Sequence, residues 1–178
     1  MQTIKYKTAL IVGAGEGLSA SLARLFTREG IHVALAARNV GKLGALCKET
    51  GAAAYACDAT ILDDVTKLFA AVEHDCGAPD IVVYNASGRM RGAFVDLIPA
   101  DVSQAIAVSA FGGFLVAQQA SRRMLRNRHG AILFTGASAS VKAIRSLQPL
   151  QWGSLHCVAL HRAWPANCRR KGSMSRIS

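Results

Sequence analysis

The chain has 178 residues, 51% of them hydrophobic, and its five cysteines form no CxxC pair, so one globular domain with reduced thiols is expected rather than a disulfide framework. The net charge of +10 arises in the second half, because no acidic residue follows Asp101, and a charge placed in this way does not by itself indicate a nucleic-acid partner. No apolar run has the length of a membrane span and no charged-then-apolar leader opens the chain, which disfavours a membrane or secreted protein and predicts a cytoplasmic one.

The first predicted strand, residues 8–12, leads into a glycine turn at Gly13, Gly15 and Gly17 and then into a helix. Glycines let the backbone turn tightly and approach a ligand closely, and the free N–H groups at the start of a helix attract an anion. The apolar residues of this helix that recur at helical spacing are Leu18, Leu22, Leu25 and Phe26. Because a second apolar strand follows at 33–36, the pattern predicts a site for the pyrophosphate of a dinucleotide.

This stretch resembles the first turn of the short-chain dehydrogenase/reductase family, which is TGxxxGxG. Gly13 and Gly17 match, Val12 stands where the family has Thr, and Ser19 stands where it has its last Gly. The resemblance implies a doubly wound parallel sheet of the Rossmann type, α/β in class, with about five strands in the order 3-2-1-4-5 over residues 1–142. It also places Gly13, Gly15, Gly17 and Leu18 against an NAD(P) cofactor.

The end of the second strand carries an arginine, Arg38, after Ala37. In a dinucleotide fold this position meets the adenosine ribose. A carboxylate there accepts from the 2′-OH of NAD, whereas an arginine pairs with the 2′-phosphate of NADP. Arg38 therefore favours NADP over NAD, and a solvated arginine at a strand end is the alternative.

A third strand over residues 53–58 ends in Asp58, and a helix with an apolar face follows it. In the resembled family an Asp at this place binds the adenine amino group. As a bare residue, Asp58 could equally be the N-cap of the helix beginning near Ile61.

The fourth predicted strand, residues 81–84, is apolar throughout, as a parallel strand covered on both faces should be. It leads into a loop close to the family's NNAG element, which forms the floor of the cofactor site. The residues that match are Asn85, Ala86 and Gly88.

The apolar pattern of residues 99–127 predicts one long helix or two. The Gly112-Gly113 pair would allow this helical segment to pack closely against its neighbours. Its buried faces are expected to carry Ile106, Phe111, Phe114, Leu115, Ala117 and Met124. Ser109 stands where the family has an Asn that helps to hold a proton-relay water. A fifth strand over 130–135 follows, and the resemblance assigns Ser138, just after it, as the catalytic serine that orients the substrate carbonyl.

The family's catalytic tyrosine and lysine have no counterpart, because no tyrosine and no YxxxK follow Lys142. In the family that tyrosine is the general acid/base and the lysine lowers its pKa. The resemblance thus implies an NADP-dependent oxidoreductase of a usually homo-oligomeric family, which transfers hydride between the nicotinamide and a small-molecule carbonyl or alcohol. This chain itself is expected to be inactive, and the alternative is a non-catalytic NADP-binding or interaction module.

The helical and alternating apolar patterns end at Ala143, so residues 143–178 are expected to be a non-native or disordered basic tail. A reading frame shifted by one base would explain it, since the codons of Leu150–Ser178 can encode AMGKFALRGLAQSMARELSPEGIHVAHF, which reads as a helix and strand of the family. On this interpretation the chain is frameshifted near Lys142 and truncated relative to its parent.

Two other interpretations of the tail are weaker. Nucleic-acid binding would rest on the short basic run Arg169-Arg170-Lys171, which has no interleaved aromatic residues. Zinc binding would rest on four residues whose spacing fits no usual finger, namely His156, Cys157, His161 and Cys168.

We expect the nucleotide sequence across codons 138 to 178, read in independent clones, to regain the helix and strand quoted above when one base is inserted or deleted near codon 142. The physical reason is that an apolar helical period arises rarely by chance in an unselected frame. If no single-base change restores the family pattern, the frameshift interpretation is wrong.

Overall fold

The computed structural model describes residues 6–90 and 92–136, and these form a parallel sheet of five strands. The strands are β1 (Thr8–Val12), β2 (His32–Ala37), β3 (Ala53–Ala56), β4 (Ile81–Tyr84) and β5 (Ala131–Phe134). Their order across the sheet is β3-β2-β1-β4-β5, so the chain changes direction across the sheet between β1 and β4. The predicted α/β class and strand order are therefore confirmed, while the boundary at residue 142 and the tail lie outside the described residues.

The helices are α1 (Leu18–Arg28), α2 (Gly44–Thr50), α3 (Leu62–Cys76), α4 (Pro99–Ile106) and α5 (Gly112–Asn127). Short 3₁₀ turns at Val40–Leu43 and Phe94–Asp96 precede α2 and α4, and a π-helical turn at Ala107–Phe111 joins α4 to α5. The helix ends follow local chemistry. Two carboxylates in the first turn of α3 stabilise the positive N-terminus of that helix. Pro99 begins α4, at a position where the helix needs no N–H donor.

Both faces of the sheet are covered, which explains why its central strands are apolar without alternation. One face packs Leu10, Val82 and Tyr84 against α3 and α5. The other face packs Ile11 and Leu35 against α1 and the segment that carries α2. The carboxyl ends of the strands remain accessible at one edge of this three-layer arrangement.

Helix α1 contacts the sheet through its small residues and through part of the apolar face that the sequence suggested. Its buried residues are Ser19, Ala20 and Ala23. Leu22 and Phe26 are half-buried and pack against the core, whereas Leu18 is 53% exposed and Leu25 is 38% exposed. Small side chains let the helix backbone come close to β1 and β2.

The prediction that Phe111 and Phe114 are buried is wrong, because they are 50% and 42% exposed. Their rings stack on each other with centroids 6.3 Å apart, on the side of the helix away from the sheet. A π turn holds more residues than an α turn and so shifts the phase of the helical face. Leu115, Ala117 and Met124 are buried as predicted.

The continuous helical segment Pro99–Asn127 is long and apolar enough, by length and composition, to cross a membrane. The expectation that no apolar run has that length is therefore wrong by this criterion. The buried helix of an ordinary core meets the same criterion, and here α5 packs Leu115 and Val116 into the cluster beneath β4.

Gly112 and Gly113 bring the start of α5 against β4, as the sequence predicted. A Cβ built on Gly112 would lie 2.5 Å from the Tyr84 hydroxyl and 2.9 Å from the carbonyl oxygen of Ala59. A Cβ on Gly113 would lie 3.3 Å from the Phe134 ring. The helix can therefore approach the sheet this closely only without a side chain at Gly112, whereas a side chain at Gly113 would make a tight contact with the Phe134 ring.

We expect Gly112→Ala to lower the free energy of unfolding by about 1–3 kcal/mol, because the new methyl group overlaps backbone at Ala59. Gly44→Ala is the matched control. That position is helical, with φ −56°, and a Cβ there meets no atom within 4 Å. Its unfolding free energy should stay unchanged or rise by about 0.5 kcal/mol. Urea unfolding measures both, and equal stability of the two variants would contradict the packing argument.

Candidate functional site

The glycine turn after β1 is in direct backbone contact with the loop after β4. Gly13 has φ +82°, and a Cβ on it would overlap the backbone of Ala86 and lie 2.8 Å from its Cβ. The N–H groups of Gly13 and Ala14 both donate to the carbonyl of Ala36, at 2.9 and 3.0 Å. Glycine at position 13 is thus required by the backbone conformation and by the close contact with Ala86.

Gly15 and Gly17 differ from Gly13, because no described atom lies where a side chain at either position would begin. A Cβ on either would meet no atom within 4 Å, and neither has a positive φ. Gly17 is the N-cap residue of α1, and no side chain among the described residues caps this helix. The turn therefore presents open backbone at a positive helix terminus, which is the arrangement that binds phosphate.

Ser19, where the resembled family has glycine, links the turn to β4. Its buried hydroxyl donates to the carbonyl of Gly13 at 3.2 Å and accepts from the side-chain amide of Asn85 at 2.7 Å. The other end of that amide accepts from the Thr135 hydroxyl at 2.8 Å, and Asn85 N–H donates to the Val12 carbonyl at 2.8 Å. Asn85 thus joins the carboxyl ends of β1, β4 and β5.

Asp58 is held by a local turn rather than acting as the N-cap of α3. Its Oδ1 accepts from the N–H and the hydroxyl of Thr60, at 2.9 and 2.7 Å, while Ile61 occupies the N-cap position. The Thr60 hydroxyl, then its N–H, and the charge of Arg38 lower the pKa of Asp58. A carboxyl with a lowered folded-state pKa stabilises the fold above its unfolded-state pKa, and this contribution is lost as the pH falls through the folded-state value.

Gly88 lies where helix α4 crosses the loop after β4. A Cβ on it would lie 2.8 Å from the Cβ of Ala105, so helix and loop touch without intervening side chains. The Gly88 N–H donates to the hydroxyl of Ser109 at 3.0 Å, and Ser109 is buried in the π turn. Packing alone accounts for a glycine here, and its contact with a cofactor stays a prediction.

A cavity of about 420 Å³ opens beside these strand ends. Its walls include Arg38 from the end of β2, Gly88 and Arg89 from the loop after β4, and Asp101, Gln104 and Val108 from the helical segment. Both arginines are exposed side chains. The cavity therefore holds two arginines together with the carboxylates of Asp96 and Asp101. Arg38 also lies close enough to Asp58 to lower the pKa of that carboxyl.

The structure brings most of the sequence-predicted residues to one edge of the sheet. Those that lie at the carboxyl ends of β1, β2, β3 and β4 are Gly13, Gly15, Gly17, Leu18, Arg38, Asp58, Asn85, Ala86 and Gly88. Ser138 lies outside the described residues. Sequence reasoning missed Arg89, which lies one residue beyond the NNAG-like element, and it treated Ser19 only as a small replacement for glycine.

Comparisons with known proteins agree with this geometry. The model of the short chain dehydrogenase family matches residues 7–149. The mitochondrial borneol dehydrogenase of Lavandula x intermedia is 31% identical over 151 residues, covering 84% of this chain and 58% of that protein. The 3-oxoacyl-acyl-carrier-protein reductase MabA of Mycobacterium tuberculosis is 29% identical over 131 residues, covering 74% of this chain and 51% of that protein.

Solved structures give the same result for the fold. A crystal structure of an actinorhodin polyketide ketoreductase variant with NADPH superposes with a TM-score of 0.87 at 25% identity, over 94% of this chain and 67% of that one. A short-chain type dehydrogenase/reductase from Mycobacterium marinum gives a TM-score of 0.87 at 25% identity, over 93% of this chain and 70% of that one. The chain spans about half the length of the curated relatives that it matches.

Proposed function

Since this chain belongs to the short-chain dehydrogenase family, a family of oxidoreductases, we propose that it binds NADP where β1 and β4 meet. The whole protein would transfer hydride between the nicotinamide and a small carbonyl or alcohol. The observation that carries this proposal is the open backbone at Gly15 and Gly17, where neither a positive φ nor a neighbouring atom accounts for a glycine. A ligand that approaches the turn closely would explain it.

The residues present fit the two ends of the dinucleotide. The pyrophosphate would lie over Gly15 and Gly17, where the uncapped N-terminus of α1 supplies N–H donors. The adenosine half would lie toward β2 and β3, with the adenine amino group donating to Asp58. Asn85 and Ala86 form the floor between the two halves. When bound, NADP supplies or accepts the hydride.

The choice of NADP over NAD rests on Arg38. A 2′-phosphate on the adenosine ribose would lie between the end of β2 and the cavity that Arg38 and Arg89 share. A guanidinium pairs strongly with phosphate because two parallel N–H bonds form at once. An Asp carboxyl is ionised at neutral pH and can accept from the adenine amino group, and the lowered pKa of Asp58 extends this to more acidic solutions.

Turnover by this chain is a separate matter, because the family's acid/base tyrosine and its lysine are absent from the sequence. The tyrosines present are Tyr6, Tyr55 and Tyr84. Tyr84 is buried beneath α5 and Tyr55 donates to Asp75 on α3, so neither can replace the missing residue. The chain therefore binds the cofactor with little or no turnover, and the absent pair equally favours the alternative, a non-catalytic NADP-binding or interaction module.

We expect Arg38→Ala to weaken NADP binding about tenfold to a hundredfold, through loss of a charge-assisted pair, and to leave NAD binding unchanged. Titration calorimetry with each nucleotide measures this. Arg122→Ala is the matched control, because Arg122 is an equally exposed arginine on α5 and its loss changes the net charge by the same amount. Equal losses for NADP and NAD in Arg38→Ala would contradict the assignment of the 2′-phosphate to Arg38.

We expect no measurable turnover of NADPH with a panel of aldehydes and ketones, because the sequence lacks the tyrosine and lysine with which the family protonates the carbonyl oxygen. Absorbance at the nicotinamide band is the measurement. Gly17→Trp, which fills the open space at the turn, is the control and should abolish binding of NADP. A rate in the unaltered chain that Gly17→Trp removes would overturn the inactive assignment and exclude the non-catalytic alternative.

A further inference from the structure

The π turn between α4 and α5 is the least regular part of the helical layer, and it lies against the proposed nucleotide site. Residues Ala107–Phe111 form this turn, in which the Gly112 N–H donates to the Ala107 carbonyl. Single π turns inside α-helices are uncommon and recur at functional sites. Val108 lines the cavity and Ser109 contacts the loop after β4, so the turn forms part of the cavity wall.

A tyrosine from the sheet holds this turn from beneath. The hydroxyl of Tyr84, the last residue of β4, donates to the carbonyl of Val108. Tyr84 is 1% exposed, and its hydroxyl occupies the space that a Cβ on Gly112 would need. The hydroxyl therefore reaches the helix because Gly112 leaves the space open.

The next residue in the turn makes the contact with the nucleotide loop. Ser109 is 2% exposed, and its hydroxyl accepts the Gly88 N–H at 3.0 Å. Gly88 has its close backbone contact with Ala105 one turn earlier in the same helical segment. The loop after Ala86 is thus fixed to the helix at two points. Both contacts depend on the position of the helix relative to Tyr84.

We propose that Tyr84 is a positioning residue for the nucleotide site: through the Val108 carbonyl it holds the π turn so that Ser109 fixes Gly88 and, with it, the loop that forms the floor of the site. This inference rests on the proposed binding of NADP. Its physical basis is that a partly buried carbonyl that loses a hydrogen bond is less well satisfied, so loss of the Tyr84 hydroxyl favours a rearranged turn. A rearranged turn moves Ser109 away from Gly88.

The test uses the full chain and the variants Tyr84→Phe, Ser109→Ala and the double variant. Tyr84→Phe keeps the ring and removes only the hydroxyl, and Tyr55→Phe is the matched control, since it removes a tyrosine hydroxyl that donates to Asp75 on α3. The first readout is amide hydrogen exchange at Gly88 without nucleotide. The reference is the amide of Asn85, which donates to the Val12 carbonyl within the sheet.

We expect Gly88 exchange to rise about fivefold to tenfold in Tyr84→Phe and in Ser109→Ala, with Asn85 exchange unchanged, as loss of one hydrogen bond at a local opening predicts. NADP should bind about fivefold more weakly to each single variant than to the unaltered chain. The double variant should bind NADP as well as either single variant does, because the two residues act through one contact. Tyr55→Phe should match the unaltered chain in both measurements.

Three results would overturn the inference: unchanged exchange at Gly88 in Tyr84→Phe, an equal rise at Asn85, or additive losses of affinity in the double variant. The first result would show that Tyr84 does not hold the loop. The second would show that Tyr84 contributes only to the overall stability of the protein. Failure of the unaltered chain to bind NADP would overturn the proposed function and the effect on affinity, while the exchange measurement would still decide whether Tyr84 holds Gly88.

Discussion

The contact between Gly13 and Ala86 is the constraint on which the rest of the site depends. No side chain separates the turn after β1 from the loop after β4, so the two backbones meet directly at the point where the chain changes direction across the sheet. The bond from Asn85 N–H to the Val12 carbonyl continues the pairing of β1 and β4, and the bond from the Asn85 side-chain amide to Ser19 crosses the same contact. The turn and the loop therefore form one surface at the carboxyl ends of these strands.

The sheet and most of the site could be predicted because their signals are local. A parallel strand covered on both faces is a continuous apolar run, and each predicted strand overlaps an observed one, with ends that agree to within two residues. The strand order was predicted only through the resemblance to the short-chain dehydrogenase family, because an alternation of strands and helices fits more than one order. The chemistry at the strand ends is also local: Arg38 and Asp58 come together because β2 and β3 are neighbours, closely enough for the arginine to lower the carboxyl's pKa.

The rest depends on contacts that no local pattern contains. The side-chain bond between Ser19 and Asn85 joins residues 66 positions apart, and that from Tyr84 to Val108 spans 24. Hydrophobicity also misleads where small residues face the sheet. It grouped Leu18 and Leu25 with the apolar face of α1, although both are exposed, and it could not foresee that the π turn would rotate Phe111 and Phe114 outward.

The small residues under α1 have a consequence for how the chain can change in evolution. Ala20 and Ala23 set the thickness of the layer between this helix and the sheet, and the same helix carries its N-terminal N–H groups to the glycine turn. A larger side chain at either position would raise the helix and displace those donors, although it would touch no ligand. Selection for a ligand at the turn therefore limits side-chain volume in the interior.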